Sequence, residues 1–234
     1  MAKNCKIMKM TKSFPFTVII VSLLLFLITT GCDRNKITTM SVSLKMKTKS
    51  VQISNKTASA NNQLDFDDGY VIIREIVFDG DRVSEGAVSI THEQISKIDL
   101  MTGVATPPVD VTIPPGEYRD INLGIEIQDE DSIPSIVAEG TYTNDSGVST
   151  PVRFEFNSGE VFEAEASAHT FDNGSSAIAE IDFSPALWFS TVTGGMLDSA
   201  QRVNGVILIN ENNNSEIFDI VADKLDDATD AEFK

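Results

Sequence analysis

Cysteine and histidine are nearly absent, with two of each in 234 residues. Two cysteines cannot staple a disulfide scaffold, and so few thiols and imidazoles exclude most zinc sites. Basic residues are also scarce: 18 Lys and Arg stand against 35 Asp and Glu, for a formal net charge of −17. That deficit excludes nucleic acid as a partner, because phosphate binding needs cations that displace counterions. No Gly-x-Ser-x-Gly string occurs, so there is no nucleophile elbow. His92-Glu93 begins a zincin motif, but Ser96 stands where the second His belongs. His169 lies on a strand-like stretch with Glu163 and Glu165. Strand residues four apart are about 13 Å from each other and cannot share a metal. Both histidines read as surface residues. There is no phosphate-cradling glycine loop, no solenoid repeat and no strand–helix alternation, which excludes a doubly wound sheet.

The N-terminus carries the clearest signal. Residues 1–13 hold Lys3, Lys6, Lys9 and Lys12 and no acid, and residues 14–28 are uncharged. The apolar run falls short of the about 20 residues that cross a bilayer core. Thr29, Thr30 and Gly31 then precede Cys32. A basic segment, an apolar segment and small residues make a secretory leader. It resembles a bacterial lipoprotein signal cleaved between Gly31 and Cys32, with Thr29 where that family usually has Leu. The resemblance implies that residues 1–31 are removed and that Cys32 becomes the lipid-bearing first residue. Residues 32–38 are then a tether. More than one acyl chain gives a stable anchor where one is marginal. Cys5 leaves with the leader, so the mature domain must be held by a core rather than by disulfides.

Beyond the tether, period-2 alternation dominates. Met40, Val42, Leu44 and Met46 alternate with polar residues in the first expected strand. Residues 48–63 are polar and read as a long loop. Residues 70–78 read as a buried strand, with Gly80 in the turn after it. Further strands are expected at 95–101 and through Val109, Val111 and Ile113 between proline turns. The alternation of Ile121, Leu123, Ile125 and Ile127 is the plainest in the chain. Strands then centre on Ile136 to Tyr142, Val152 to Phe156, Phe162 to Ala168 and Ala177 to Phe183. Turn signals every 10–15 residues or so suit an antiparallel sandwich. After Pro185 the pattern changes. Trp188-Phe189 read as a core plug, with an exposed sugar-stacking platform as the alternative, Gly194-Gly195 as flexible, and Val206 to Ile209 as a short strand. An amphipathic helix follows, with Ser215 as its N-cap, an apolar stripe of Ile217, Ile220, Val221 and Leu225, and Asp226 on its outer face. Residues 229–234 are expected to fray. The expected fold is an all-β antiparallel sandwich over 39–185. Residues 186–234, with the plug, strand and helix, would pack on it.

Ile98-Asp99-Leu100, Pro115-Gly116-Glu117-Tyr118, Ile121 and Leu123 resemble the pattern of a bacterial lipoprotein family of unknown function. Members of that family have prealbumin-type (transthyretin-like) β-sandwiches. The resemblance covers about residues 39–185 and implies that fold and a cell-envelope location, most naturally the outer membrane. It supplies no catalytic residue. Gly116 permits a turn that would strain other residues, and Tyr118 can cover the end of a core.

Three kinds of candidate site remain. Asp65, Asp67 and Asp68 cluster before Gly69, which suggests a calcium loop, although Tyr70 and Ile76 stand where an EF-hand needs Gly and Glu. Asp79-Gly80-Asp81 and Asp129-Glu130-Asp131 are further acidic clusters. Calcium is thus the one cofactor candidate, against the plainer reading of a solvating acidic surface that repels anionic headgroups. Ser132 and Ser199 sit in Asp-Ser-apolar triplets that resemble O-glycan acceptors of Bacteroidetes-type exported proteins. The expected function is a lipid-anchored, non-enzymatic envelope module that binds a protein or glycan partner or serves a structural role. The alternatives are a carboxylate-based envelope hydrolase and an accessory or anchor subunit of a surface assembly, working through an exposed sheet edge.

Overall fold

Alternating sequences bury one face of each strand, so the outcome depends on which strands pair. The computed structural model describes residues 37–46, 49–53, 62–225 and 229–233. The expected leader, Cys32 and most of the expected tether lie outside the described residues. Fourteen strands are described among them, in two sheets.

The smaller sheet has the order β14 (Thr229–Phe233), β11 (Ser176–Phe183), β1 (Thr38–Met46), β6 (Asp110–Ile113). In β1, Met40, Val42, Leu44 and Met46 are buried, as their spacing predicts. Its partner was not legible. β1 runs parallel to β11, Thr39 opposite Ser176 through Met46 opposite Phe183. The expectation of a purely antiparallel fold is therefore corrected. The reason is that periodicity sets a strand's buried face but not its neighbour. Residues 229–233, expected to fray, form a strand instead. Thr229–Phe233 pairs antiparallel with β11, Phe183 opposite Thr229.

The larger sheet is organised on one 21-residue strand, β3 (Asn62–Arg82). Its first half lies between β2 (Ser50–Ile53) and β8 (Ile136–Thr143). Its second half lies between β4 (Gly86–Asp99) and β7 (Gly116–Ile127). β9 (Ser149–Phe156) extends the first half beyond β8, and β10 (Val161–Phe171) extends the second beyond β7. β13 (Val206–Ile209) joins β9 in parallel, and the short β12 (Arg202–Val203) follows it. β5 (Ala105–Thr106) pairs with the end of β4. Part of the expected long loop is thus strand β2, whose Val51 and Ile53 point into the core. Gly80 is inside β3 and not in a turn. A Cβ there would lie 2.6 Å from the Tyr118 ring, so the glycine makes room for an aromatic.

Both sheets contribute to one hydrophobic core. Phe162 of β10 meets Phe183 of β11 edge-on at 5.3 Å. Phe78, Tyr118 and Phe171 form an edge-to-face triangle with centroids 5.4–5.9 Å apart. The tail after residue 185 completes the core and both sheets. Helix α1 (Pro185–Trp188) delivers Trp188 and Phe189, both fully buried, against Phe154 and Phe183. Gly194-Gly195 open a second helix, α2 (Gly194–Ser199), capped by the Thr193 side chain. Helix α3 (Ser215–Ala222) buries Ile217, Phe218 and Val221 as its stripe predicts. Asn214, not Ser215, holds its N-cap position. The Asn214 side chain is bonded instead to the backbone of Gln201 and Leu208. Asp226 lies outside the described residues.

The Tyr142 hydroxyl is buried where β8 meets α2, within 3.1–3.3 Å of Asn62 Oδ1, the Gly194 carbonyl and Asp198 Oδ1. Burial and the Asp198 carboxylate push its pKa well above the ordinary value of 10.0. Burial raises Tyr70 and Tyr118 in the same direction. The unfolded chain therefore loses phenolic protons from about pH 10 while the native state keeps them. The stability these groups lend is intact below that pH and is lost as pH rises above it. Tyr142→Phe is expected to cost about 1 kcal/mol at pH 8 and to lessen the further loss between pH 8 and pH 11. Urea unfolding of both proteins at the two pH values measures this. Equal alkaline losses would exclude the Tyr142 contribution.

Candidate functional site

The outer, solvent-facing side of the larger sheet is polar because the alternating residues opposite the core must meet water. Where β3, β4, β8 and β9 come together it is hollowed into a groove of about 570 Å³. Tyr70 from β3, Lys97 from β4, Glu139 from β8 and Arg153 from β9 line it. Cross-strand register assembles the site. Tyr70 is opposite Val137 on one side and Asp99 on the other, and Glu139 is opposite Asp68 and Arg153.

Lys97 Nζ lies 3.7 Å from the Tyr70 ring centre, a cation–π contact. Arg153 is held on both sides, by Glu155 at 2.6 Å and by Glu139. Asn210 braces Glu155 from the far side at 2.9 Å. Burial alone would push the Arg153 guanidinium down, but the bonds to Glu155 and Glu139 outweigh it and raise its pKa. Arg153 is thus a fixed cation. Burial raises the Tyr70 phenol, with Arg153 opposing the shift, so it is a neutral hydrogen-bond donor at pH 7. Asp99 accepts from the Thr102 and Met101 backbone N–H groups and from the Thr102 hydroxyl at 2.8–3.0 Å. Those bonds, that to the Thr102 backbone foremost, hold its carboxyl below the usual carboxylate range. Tyr70, Lys97, Arg153, Asp68 and Asp99 thus offer donors, acceptors and an aromatic ring overlain by Lys97, around a shallow floor of Val137.

The expected calcium loop is not a loop. Asp65, Asp67 and Asp68 lie within β3, at a bulge between Phe66 and Asp68. Asp65 accepts from Ser50 Oγ at 2.5 Å and Gln63 Nε2 at 2.8 Å, whereas Asp68 accepts from the Gly69 backbone at 2.7 Å. Among the described residues no three His, Cys, Asp or Glu side chains are gathered to hold a metal. Asp68 instead lines the groove. Ser132 is exposed in the loop between β7 and β8. Ser199 is exposed at the end of α2, but its hydroxyl is turned back to the Gly195 and Met196 carbonyls. The histidines are half-buried rather than fully superficial. His169 packs on Phe171 at 4.7 Å and on Phe233 at 5.5 Å. No described helix is long and apolar enough to cross a membrane.

The groove residues escaped the sequence reading, since Tyr70, Lys97 and Arg153 each look like one polar position on an alternating strand. Only pairing brings them together. These features define the class: an all-β protein of two open sheets around one core, with a mixed-charge groove on the larger sheet. Comparisons with known protein families, characterised proteins and solved structures found no match to this chain.

Proposed function

We propose that the protein is a lipid-anchored, non-enzymatic binding module of the bacterial cell envelope. Its domain is a prealbumin-like sandwich, and Cys32 ties it to the outer membrane. The groove around Tyr70 supports this reading. Its ligand is a segment of glycan. Sugar hydroxyls pair with neighbouring donors and acceptors at once, which Lys97 and the surrounding carboxylates present, and a sugar ring displaces Lys97 from the Tyr70 face to stack there. The fixed Arg153–Glu139–Glu155 cluster is pre-organised, so little side-chain entropy is lost on binding.

Binding of the mature chain to a glycan array tests the proposal. The wild type is expected to retain a defined set of glycans. Tyr70→Ala is expected to weaken them at least tenfold, about 1.4 kcal/mol. Absence of any glycan binding, or binding that Tyr70→Ala leaves intact, overturns it.

A further inference from the structure

The other half of the larger sheet presents a different surface. On β4, β3 and β7, Glu93, Glu75 and Glu126 stand abreast in cross-strand register. Like charges directly opposite each other on neighbouring strands repel. Arg74 relieves only part of this. It pairs with Glu126 at 3.4 Å, Asp129 at 3.3 Å and Glu130 at 3.5 Å. Glu75 and Glu93 form no ion pair among the described residues.

These two carboxylates line a cleft of about 320 Å³ together with Gln128, Glu130 and Arg74, whose charge Glu126, Asp129 and Glu130 already answer. Gln128 is only 6% exposed, and its Oε1 is buried without a hydrogen-bond partner. Its backbone N–H is fixed to the Ile72 carbonyl at 2.9 Å, which anchors the side chain at the cleft. A buried acceptor left unpaired calls for a donor. Ile95, 56% exposed, supplies an apolar rim. The groups are not gathered as metal ligands. A planar guanidinium is wider than a metal ion, and its five N–H donors can serve two carboxylates and an amide oxygen together.

The cleft also opens on a free sheet edge. From Gly86 to Glu93, β4 pairs with β3 alone among the described strands. Residues 86–96 contain one acid, Glu93, and no lysine, arginine or proline, although such residues normally guard an edge. Further acids, Asp79, Glu163 and Glu165, lie on the same half-sheet.

We infer that this surface docks an extended, arginine-bearing segment of a protein partner. The segment adds as a strand along β4, and one arginine enters the cleft to bridge Glu75 and Glu93, with Gln128 turning its buried Oε1 outward to accept from it. Backbone pairing supplies affinity, and the arginine sets register and specificity. The inference does not depend on what the Tyr70 groove binds.

The test is fluorescence polarisation of a labelled peptide of alternating arginine and threonine, with the mature chain at physiological ionic strength. Glu75→Gln with Glu93→Gln is expected to weaken binding at least tenfold. That pair removes a repulsion, so the variant should melt no lower than the wild type. Glu163→Gln with Glu165→Gln removes the same charge elsewhere on the half-sheet and is expected to change binding by less than threefold. No binding by the wild type overturns the inference. Equal losses in the two double variants also overturn it, because they would show only diffuse attraction to an acidic protein.

Discussion

Cys32→Ser is expected to move the protein wholly from the membrane fraction to the soluble envelope fraction and to abolish incorporation of labelled palmitate. The expectation rests on the leader, in which four lysines, an uncharged run and Thr29-Thr30-Gly31 precede the cysteine. Each buried methylene of an acyl chain contributes about 0.8 kcal/mol to membrane binding. Several chains on one residue therefore outweigh anything a strongly acidic surface could offer a bilayer. The acids act in the opposite sense, since anionic headgroups repel a domain of this charge. Serine keeps the size of the side chain but lacks the thiol that the proposed lipid would need. β1 begins at Thr38, only a few residues past Cys32. At about 3.5 Å per residue the intervening chain can span at most roughly 20 Å, so a lipid on Cys32 would hold the domain next to the membrane. A Cys32→Ser protein that still pellets with membranes and resists alkaline extraction would rule out the lipid anchor.

The parts of the fold that were legible share a cause. In β7, Ile121 to Ile127 face the core while Asn122, Gly124 and Glu126 face water, and one solvated face is what makes period 2 visible. β2 was read as loop because a four-residue strand shows only Val51 and Ile53 as inward residues. β14, TDAEF, has even less apolar content and is ordered by pairing with β11. Gly80 looks like a turn residue in sequence because glycine punctuates chains, yet its role is to admit the Tyr118 ring. Partners outside the β8–β9 hairpin, whose Asn144-Asp145-Ser146-Gly147 turn is a sequence signal, were hidden. The parallel contacts β1–β11 and β9–β13 bring together segments far apart in sequence. The candidate sites were hidden for the same reason. Tyr70, Lys97 and Arg153 come from three strands, as do Glu93, Glu75 and Glu126, and no local spacing announces either group. The acidic run Asp65 to Asp68 was conspicuous in sequence, but the bulge in β3 splits it between two environments.

That bulge underlies the second large effect. Gly140 on β8 lies opposite Phe66, and Glu139 lies opposite Asp68, so Asp67 is the extra residue. A Cβ on residue 140 would sit 1.9 Å from the Asp65 carbonyl oxygen and 2.8 Å from the Phe66 Cα. Both are backbone atoms of the central strand and cannot swing aside as a long side chain can. Gly140→Ala must therefore push β8 from β3 or undo the bulge. Forced overpacking costs 1–3 kcal/mol where side chains can yield, so about 3 kcal/mol or more is expected here. For a domain of this size that lowers the melting temperature by about 10 °C. The loss should also reach function. The bulge sets the phase of Asp68 and Tyr70 against Glu139, so ligands of the Tyr70 groove should weaken even below the melting transition. Gly195→Ala is the control, because a Cβ there has open space and lies within α2. It should leave stability unchanged or raise it by up to about 1 kcal/mol. Thermal melts of the two variants decide the matter. A Gly140→Ala protein melting within 2 °C or so of the wild type would show that β3 and β8 are not paired through this bulge.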